Sequence, residues 1–210
     1  MSAILDIMRS SPVMPVIVLD NVDDALPLAR ALTSGGVRVL EITLRTPAAL
    51  ACVRAIRAAV PDAIVGVGTI VNCADFDAAR EAGAAFGVSP GATPELLAHA
   101  AKTGFPFLPG TMTPSDMMRV LDAGFTEAKL FPAEQAGGIG LLKAVGGPLP
   151  QLTFCPTGGI DAALAPAYLA LPNVACVGGS WLAPAAQITK RDWDEIGRRA
   201  RAASLLTGSR

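Results

Sequence analysis

The chain has little of the material from which metal and redox sites are usually built. Among its 210 residues there is one histidine, His99, and four widely spaced cysteines with no C-x-x-C pair. This spacing predicts neither a zinc site nor a disulfide framework. A single histidine also argues against a metal-dependent enzyme that needs several imidazole ligands, although carboxylate ligands alone remain possible. We therefore expect four buried free thiols, no metal ion and no cofactor.

The chain also lacks clustered charge and long apolar runs. Its formal net charge is −1 and its basic residues are scattered, so no positive stripe is available for a nucleic-acid backbone or an anionic membrane. The apolar stretch at residues 13–19 is far shorter than the ~20 residues that cross a bilayer, and residues 1–9 contain no basic leader. We expect a cytoplasmic protein with a small-molecule partner and with no nucleic-acid or membrane partner.

Short apolar runs alternate with alanine-rich segments of helical period along the whole chain. Eight runs are strand candidates, whose ends recur every ~20–26 residues, close to the shortest unit that holds a strand, a helix and two turns. They span residues 14–19, 39–43, 64–69, 86–89, 107–110, 128–131, 153–156 and 174–178. Such alternation is typical of a parallel sheet. With no long polar linker, it predicts an α/β fold, a single (β/α)8 TIM barrel over residues 1–210.

Lys129 is a lone cation in an apolar strand candidate that ends in a Pro-bearing turn. Burial disfavours the protonated form of an amine, and a neutral amine can attack a ketone to form a Schiff base. In the strand at 39–43, alternation directs Glu41 toward the barrel interior. A buried carboxylate needs a partner, and Lys129 and Arg45 are both candidates. The alternatives are a lysine that snorkels to the surface and an ion pair that only holds the barrel together.

Glycines and hydroxyl residues mark the ends of several other strands, and the active site of a TIM barrel lies at these carboxyl ends. The segments are Gly66-Val67-Gly68-Thr69, Ser89-Pro90-Gly91 and Pro109-Gly110-Thr111. Glycine lets backbone approach a ligand closely, although it also ends strands in ordinary turns. Two glycine pairs, Gly158-Gly159 and Gly178-Gly179, follow the last two strands, where such barrels commonly bind phosphate. A pair of tight turns is the alternative.

Six motifs taken together resemble those of the 2-keto-3-deoxy-6-phosphogluconate (KDPG) aldolase family. They begin at Val37, Gly66, Ser89, Lys129, Pro156 and Gly178, and read VRVLEITLRT, GVGT, SPG, KLFPAE, PTGGI and GGSWL. The resemblance covers nearly the whole chain in order and spacing. Two departures are visible, because Val67 and Leu130 stand where the family usually has alanine and phenylalanine. Both concern pocket shape.

The resemblance implies a class I aldolase on a (β/α)8 barrel. Such an enzyme cleaves KDPG to pyruvate and glyceraldehyde 3-phosphate in the Entner–Doudoroff pathway and acts as a homotrimer. Many members of the family also act on 4-hydroxy-2-oxoglutarate (KHG). The implied partner is therefore a small phosphorylated keto acid.

The resemblance also implies roles for nine residues. Lys129 matches the Schiff-base lysine and Glu41 the general acid/base. The residues matched to the keto-acid end are Arg45 and Thr69. Those matched to the phosphate site are Gly158, Gly159 and Ser180, and those matched to the pocket around the pyruvyl carbons are Pro90 and Phe131.

Two other functions remain open at this stage. One is an aldolase of the same fold that acts on the galactonate epimer or only on unphosphorylated hydroxy-keto acids, because a strand pattern does not reveal the stereochemistry of a hydroxyl. The other is a non-catalytic phosphosugar-binding barrel with a structural Glu41–Lys129 ion pair. The presence of a base, an amine, an arginine and phosphate loops on one rim argues against the second.

Overall fold

A computed structural model describes residues 2–206, so Met1 and residues 207–210 of the predicted domain lie outside it. Helices and parallel strands alternate along the chain. The helices are α1 (Ala3–Arg9), α2 (Ala25–Ser34), α3 (Ala49–Ala59), α4 (Cys73–Glu81), α5 (Pro94–Ala101), α6 (Pro114–Asp122), α7 (Gly138–Gly146), α8 (Ala165–Leu169), α9 (Ala185–Lys190) and α10 (Trp193–Ser204). The strands are β1 (Val13–Ile17), β2 (Val39–Thr43), β3 (Ile64–Gly68), β4 (Gly87–Val88), β5 (Phe107–Leu108), β6 (Gly110–Thr111), β7 (Glu127–Leu130), β8 (Thr153–Pro156) and β9 (Val177–Gly179).

The strands form two parallel sheets. Six of them make a curled sheet in the order β5-β4-β3-β2-β1-β9, and three make a smaller sheet in the order β6-β7-β8. Only Pro109 separates β5 from β6. Single parallel bridges join Phe154 to Val174 and Thr157 to Gly178, beside β8 and β9. The prediction of an α/β fold with parallel strands is confirmed.

Polar side chains cap the starts of several helices. Asn72 accepts a hydrogen bond from the Asp75 N–H at 2.8 Å, at the start of α4. Thr113 begins α6 with a reciprocal capping box in which Asp116 accepts from the Thr113 N–H. Each cap satisfies a backbone donor that has no partner within its own helix. The caps therefore fix where each helix leaves the preceding strand.

Most strand boundaries differ from the prediction by one to three residues. A short 3-10 turn (Val22–Asp24) immediately precedes α2. The predicted strand at 107–110 is divided at Pro109, because proline has no N–H to donate to a strand ladder. Helix α1 was not predicted, since its seven residues offer too short a pattern. It is capped by Ser2 and buries Ile4 and Met8.

Two separate clusters of buried apolar side chains lie on opposite faces of the strands. The larger contains Leu40 and Ile42 of β2 together with residues of most helices. The smaller cluster contains Val39 of β2 and the buried side chains of α1. Its members are Ile4, Met8, Met14, Val39, Phe86, Val88, Leu108, Cys155 and Cys176. Because side chains alternate along a strand, Glu41 lies on the same face as Val39, which is the side that the sequence predicted.

The four cysteines are free thiols, and the histidine contacts an aspartate. Cys52, Cys155 and Cys176 are buried and free, but Cys73 is only half-buried because it opens α4 at an exposed helix end. The prediction of four buried thiols is therefore wrong for Cys73. His99 lies within α5, where its Nε2 is 2.9 Å from Asp77 Oδ1.

No helix among residues 2–206 combines the length and the apolar character needed to cross a membrane.

Candidate active site

Two buried side chains of opposite charge meet between the two sheets. Glu41 of β2 is 2% exposed and Lys129 of β7 is 5% exposed. The Lys129 Nζ lies 3.2 Å from Glu41 Oε1. Of the two cations that the sequence offered as partners for Glu41, the structure brings Lys129 into contact and leaves Arg45 apart. A charged pair so far from water has few ways to be satisfied except by its own contact and by a bound ligand.

Gly68 makes the space that the Glu41 carboxylate occupies. β2 and β3 pair with Thr43 opposite Gly68, and a Cβ at position 68 would lie 2.1 Å from Glu41 Oε1. Likewise, a Cβ at Gly66 would lie 2.4 Å from the Phe86 ring. The sequence interpretation gave these glycines a role in ligand approach. The structure shows that they accommodate neighbouring side chains of the site.

The backbone around Lys129 is held on both sides. Its N–H donates to the Pro109 carbonyl at 2.8 Å, and its carbonyl accepts from Thr111 Oγ1 at 3.1 Å. The ring centroid of Phe131 lies 5.4 Å from Lys129 Nζ, within the range of a cation–π contact. The neighbouring strands therefore position the Lys129 backbone, and the amine lies beside the Phe131 ring.

Pro90 lies close to the strand that pairs with Lys129. A Cβ on Gly110 would be 2.3 Å from the Pro90 carbonyl carbon, and the Gly110 N–H donates to Ser89 Oγ at 3.1 Å. Gly110 is in turn paired with Lys129. Gly110 of β6 therefore contacts the Pro90 turn on one side and pairs with Lys129 on the other.

Arg45 and Thr69 follow the carboxyl ends of two paired strands. The Leu44 N–H donates to the Gly68 carbonyl at 2.9 Å, which holds these ends together. Arg45 is exposed and forms no hydrogen bond or ion pair with any residue in the range 2–206. Thr69 is half-buried and has a φ of +63°. A β-branched residue rarely adopts this conformation, and such backbone strain is concentrated at functional sites.

The glycine loop, residues 157–160, lies at the other side of the Lys129 strand. Gly158 and Gly159 have φ angles of +105° and +80°, which side-chain-bearing residues rarely adopt. A Cβ on Gly158 would lie 3.2 Å from Pro132 Cα. The bridge between Thr157 and Gly178 brings the loop beside the end of β9, which the exposed Ser180 follows. The loop and Ser180 are therefore at the same edge.

The second glycine pair serves packing. A Cβ on Gly178 would lie 2.1 Å from Thr157 Oγ1, and one on Gly179 would lie 1.7 Å from the Trp181 ring. The Arg199 Nη1 donates to the Trp181 carbonyl at 2.8 Å. Arg199 was not among the predicted site residues.

Two further side chains at the glycine loop were missed. The Tyr168 hydroxyl donates to Glu134 Oε1, and Glu134 lies against Gly159. Burial and the Glu134 carboxylate raise the pKa of Tyr168 well above its usual value. The only available signals were that Tyr168 is the single tyrosine and that Glu134 ends the KLFPAE motif.

Cys176 is a buried thiol that lies near Glu41. A hydrogen bond with Cys155 raises the pKa of the Cys176 thiol, and so do burial and the nearby Cys155 and Glu41. The thiol is therefore held in its protonated, poorly nucleophilic form. Among residues 2–206, no three His, Cys, Asp or Glu side chains are grouped so as to hold a metal ion. Lys129 supplies the buried amine of this arrangement.

Several known proteins with similar sequences are aldolases. The profile of the KDPG and KHG aldolase family matches residues 4–199. The KHG/KDPG aldolase of Escherichia coli strain K12 is 49% identical over 197 residues, which cover 94% of this chain and 92% of that protein.

Two solved structures are also closely similar. KDPG aldolase from Legionella pneumophila, with pyruvate captured at low pH as a covalent carbinolamine intermediate, has 45% identity and a TM-score of 0.94 over 96% of this chain and 98% of that one. The Zymomonas mobilis ZM4 enzyme, solved with 3-phosphoglycerate, has 44% identity and a TM-score of 0.95 over 100% and 98%. The chain therefore belongs to the KDPG and KHG aldolase family, as its motifs predicted.

Proposed function

We propose that this protein is a class I aldolase that cleaves KDPG to pyruvate and glyceraldehyde 3-phosphate through a Schiff base on Lys129, and that it also acts on KHG. The observation that carries the proposal is the buried contact of 3.2 Å between Lys129 Nζ and Glu41 Oε1. It places an amine nucleophile beside a group that can take and return its proton. Membership in the family supports the same activity.

The first half of the reaction forms the imine. Glu41 takes a proton from the Lys129 ammonium, and the neutral amine adds to the C2 ketone of the substrate to give a carbinolamine. Glu41 then returns a proton to the C2 hydroxyl group, which leaves as water. The product is a protonated imine between Lys129 and C2. The captured carbinolamine of the L. pneumophila enzyme is the corresponding intermediate with pyruvate.

The second half breaks the carbon–carbon bond. The protonated imine accepts the electron pair of the C3–C4 bond while Glu41 removes the C4 hydroxyl proton. Glyceraldehyde 3-phosphate leaves and an enamine of pyruvate stays on Lys129. Glu41 protonates the enamine at C3, and water then hydrolyses the imine to release pyruvate. Lys129 is regenerated, so no cofactor is consumed.

The remaining site residues bind the two ends of the substrate. In this proposal the keto-acid carboxylate binds to Arg45, whose guanidinium has no partner among the described residues, and to the Thr69 hydroxyl. Pro90 and Phe131 line the pocket around the carbon chain. The phosphate binds at Gly158, Gly159 and Ser180, where glycine backbone can approach an anion closely.

We also propose that the two sheets form one closed (β/α)8 barrel and that residues 1–210 form one domain. Two observations support closure. β5 and β6 are separated by a single residue, so residues 107–111 count as one interrupted strand. The bridges beside β8 and β9 supply the remaining contact between the sheets. An experimental structure tests this by the presence of continuous strand pairing around the ring.

We further propose that the enzyme works as a homotrimer in the cytoplasm. Large apolar side chains with exposed surface support an assembly, since Val71 is 53% exposed and Met118 is 56% exposed. Light scattering of the purified protein measures its mass directly. A mass three times that of the chain is expected, and a monomer would contradict the proposal.

Pyruvate release tests the activity against its alternatives. The rate is measured with lactate dehydrogenase and NADH for KDPG, for its C4 epimer in the galactonate series, and for KHG. We expect the highest kcat/KM with KDPG and measurable turnover with KHG. A preference for the epimer would make the protein an aldolase of the galactonate series. Binding of all three without any pyruvate release would make it a non-catalytic phosphosugar-binding protein.

A further inference from the structure

The glycine loop rests on the segment that follows the Lys129 strand. The Ala133 N–H donates to the Thr157 carbonyl at 2.8 Å, and the Glu134 N–H donates to the Gly158 carbonyl at 3.1 Å. The Glu134 side chain then packs onto the loop, because a Cβ on Gly159 would lie only 2.6 Å from Glu134 Cγ. The path of the loop at Gly159 is therefore set by where the Glu134 side chain lies.

A tyrosine from a different element holds the end of that side chain. Tyr168 of α8 is 0% exposed, and its hydroxyl donates to Glu134 Oε1. Gly138 leaves room for the contact, since a Cβ there would lie 2.7 Å from the Tyr168 hydroxyl oxygen and 3.0 Å from Glu134 Oε1. The pKa of Tyr168 is raised by burial and by Glu134, so the phenol remains a hydrogen-bond donor throughout the neutral pH range.

The arrangement puts a negative charge next to a loop proposed to bind an anion. The carboxylate of Glu134 belongs to an exposed residue, and it is anchored by Tyr168 instead of by a lysine or an arginine. A carboxylate that moves freely beside a phosphate opposes phosphate binding by Coulomb repulsion. A carboxylate fixed by a donor is held at one distance and has part of its charge compensated.

We infer that Tyr168 is a positioning residue for phosphate recognition, which acts by holding the Glu134 carboxylate away from the bound phosphate. This inference rests on the proposed function, because it concerns the phosphate end of the same site. It assigns Tyr168 and Glu134 no part in imine formation or bond cleavage. Their effect is confined to how well the enzyme distinguishes phosphorylated from unphosphorylated substrates.

Tyr168→Phe tests the inference because it removes the hydroxyl and keeps the buried ring. Loss of a hydrogen bond to a charged acceptor typically shifts an equilibrium by about tenfold or more, so the KM for KDPG should rise about tenfold. The KM for KHG and the kcat for both substrates should stay within about twofold of wild type. An unchanged KM for KDPG, or an equal rise for both substrates, would overturn the inference.

Changes at Glu134 separate the role of its charge from that of its shape. Glu134→Gln keeps an oxygen that accepts from Tyr168 and should behave like wild type. The double variant Tyr168→Phe, Glu134→Gln has no negative charge at position 134 to repel the phosphate, so it should recover most of the affinity for KDPG. Glu134→Asp keeps the charge but is too short to reach Tyr168, and it should reproduce the selective rise in KM even if Tyr168→Phe does not fold. Failure of the double variant to recover affinity would also overturn the inference.

Two controls separate this inference from general damage and from failure of the proposed function. Ser11→Ala removes another buried hydroxyl, whose Oγ donates to the Val13 carbonyl at 2.8 Å, at the opposite end of the strands. It should lower the melting temperature without changing the ratio of the two KM values. Borohydride trapping with pyruvate is run on every variant. No adduct on wild type would refute the proposed function, whereas normal trapping with an unchanged KM ratio in Tyr168→Phe would refute only this inference.

Discussion

One end of the candidate site is built from buried charged side chains, and the other is built mainly from loop backbone. At the proposed catalytic end, Glu41 and Lys129 are almost completely buried side chains in contact across two sheets. At the proposed phosphate end, Gly158 and Gly159 present backbone in a loop, and Ser180 is exposed. A buried charged pair is sensitive to small displacements, because charges interact more strongly away from water. We therefore expect changes at the first end to act on kcat and changes at the second to act on KM.

The largest expected effect comes from Lys129→Arg. Arginine keeps the positive charge beside Glu41 but stays protonated and cannot act as the amine nucleophile. Pyruvate release from KDPG should fall to the background rate, and pyruvate should leave no adduct after borohydride reduction. Lys143→Arg makes the same change at an exposed position on α7 and should keep full activity. Substantial turnover by Lys129→Arg would contradict a covalent mechanism.

Glu41→Gln should give the next largest loss. The amide still accepts a hydrogen bond from Lys129 but cannot transfer a proton, so kcat should fall by about 10²–10⁴-fold. Slow imine formation should persist, and thermal melting should show a folded protein. The matched control is Glu127→Gln, which changes another buried acid, 5% exposed, on the Lys129 strand itself. Equal effects of the two changes would mean that Glu41 is structural.

Gly68→Ala tests whether the position of Glu41 matters as much as its presence. The new Cβ would lie 2.1 Å from Glu41 Oε1, so the carboxylate must move away from the place it occupies beside Lys129. Displacement of a catalytic group by about 1 Å can lower the rate by about 10²-fold. We expect a fall of that order in kcat, measured with KDPG and KHG alike. A wild-type rate would show that the Lys129–Glu41 geometry is not critical.

Gly159→Val addresses the phosphate end. A side chain there meets Glu134 Cγ at 2.6 Å and must adopt a φ of +80°. If this loop binds the phosphate through charge-assisted hydrogen bonds, their loss should raise the KM for KDPG by about 10–100-fold, with little change for KHG. Gly124→Val has a comparable φ of +88° but open space around its Cβ, so it controls for backbone strain alone. Equal losses on both substrates would indicate that the loop only supports the fold.

Arg45→Ala should have the smallest of these effects, because Arg45 is exposed and makes no contact with the catalytic pair. If it binds the keto-acid carboxylate, the KM for KDPG should rise about tenfold and the affinity for pyruvate should fall about tenfold. Arg38→Ala, at the other end of β2, removes an exposed arginine 3.6 Å from Asp62 and should change neither. Loss of KDPG affinity with normal pyruvate binding would place Arg45 at the phosphate instead.

The sequence predicted the parts of this molecule that depend on local pattern. Alternation along β2 was enough to put Glu41 on the inner face, and an isolated lysine in an apolar strand was enough to single out Lys129. The contacts that depend on three dimensions were missed. No spacing rule shows that Gly68 makes room for Glu41, that Thr69 has a positive φ, or that Tyr168 reaches Glu134.

Trapping with pyruvate and borohydride, followed by peptide mass mapping, tests whether Lys129 forms a Schiff base. It needs neither the phosphate site nor the bond cleavage, so it reports only on the amine and its surroundings. We expect one reduced pyruvyl adduct per chain, on Lys129, in the wild-type protein. An adduct on Lys102, Lys143 or Lys190 instead, or none at all, would contradict the Schiff-base mechanism proposed for this site.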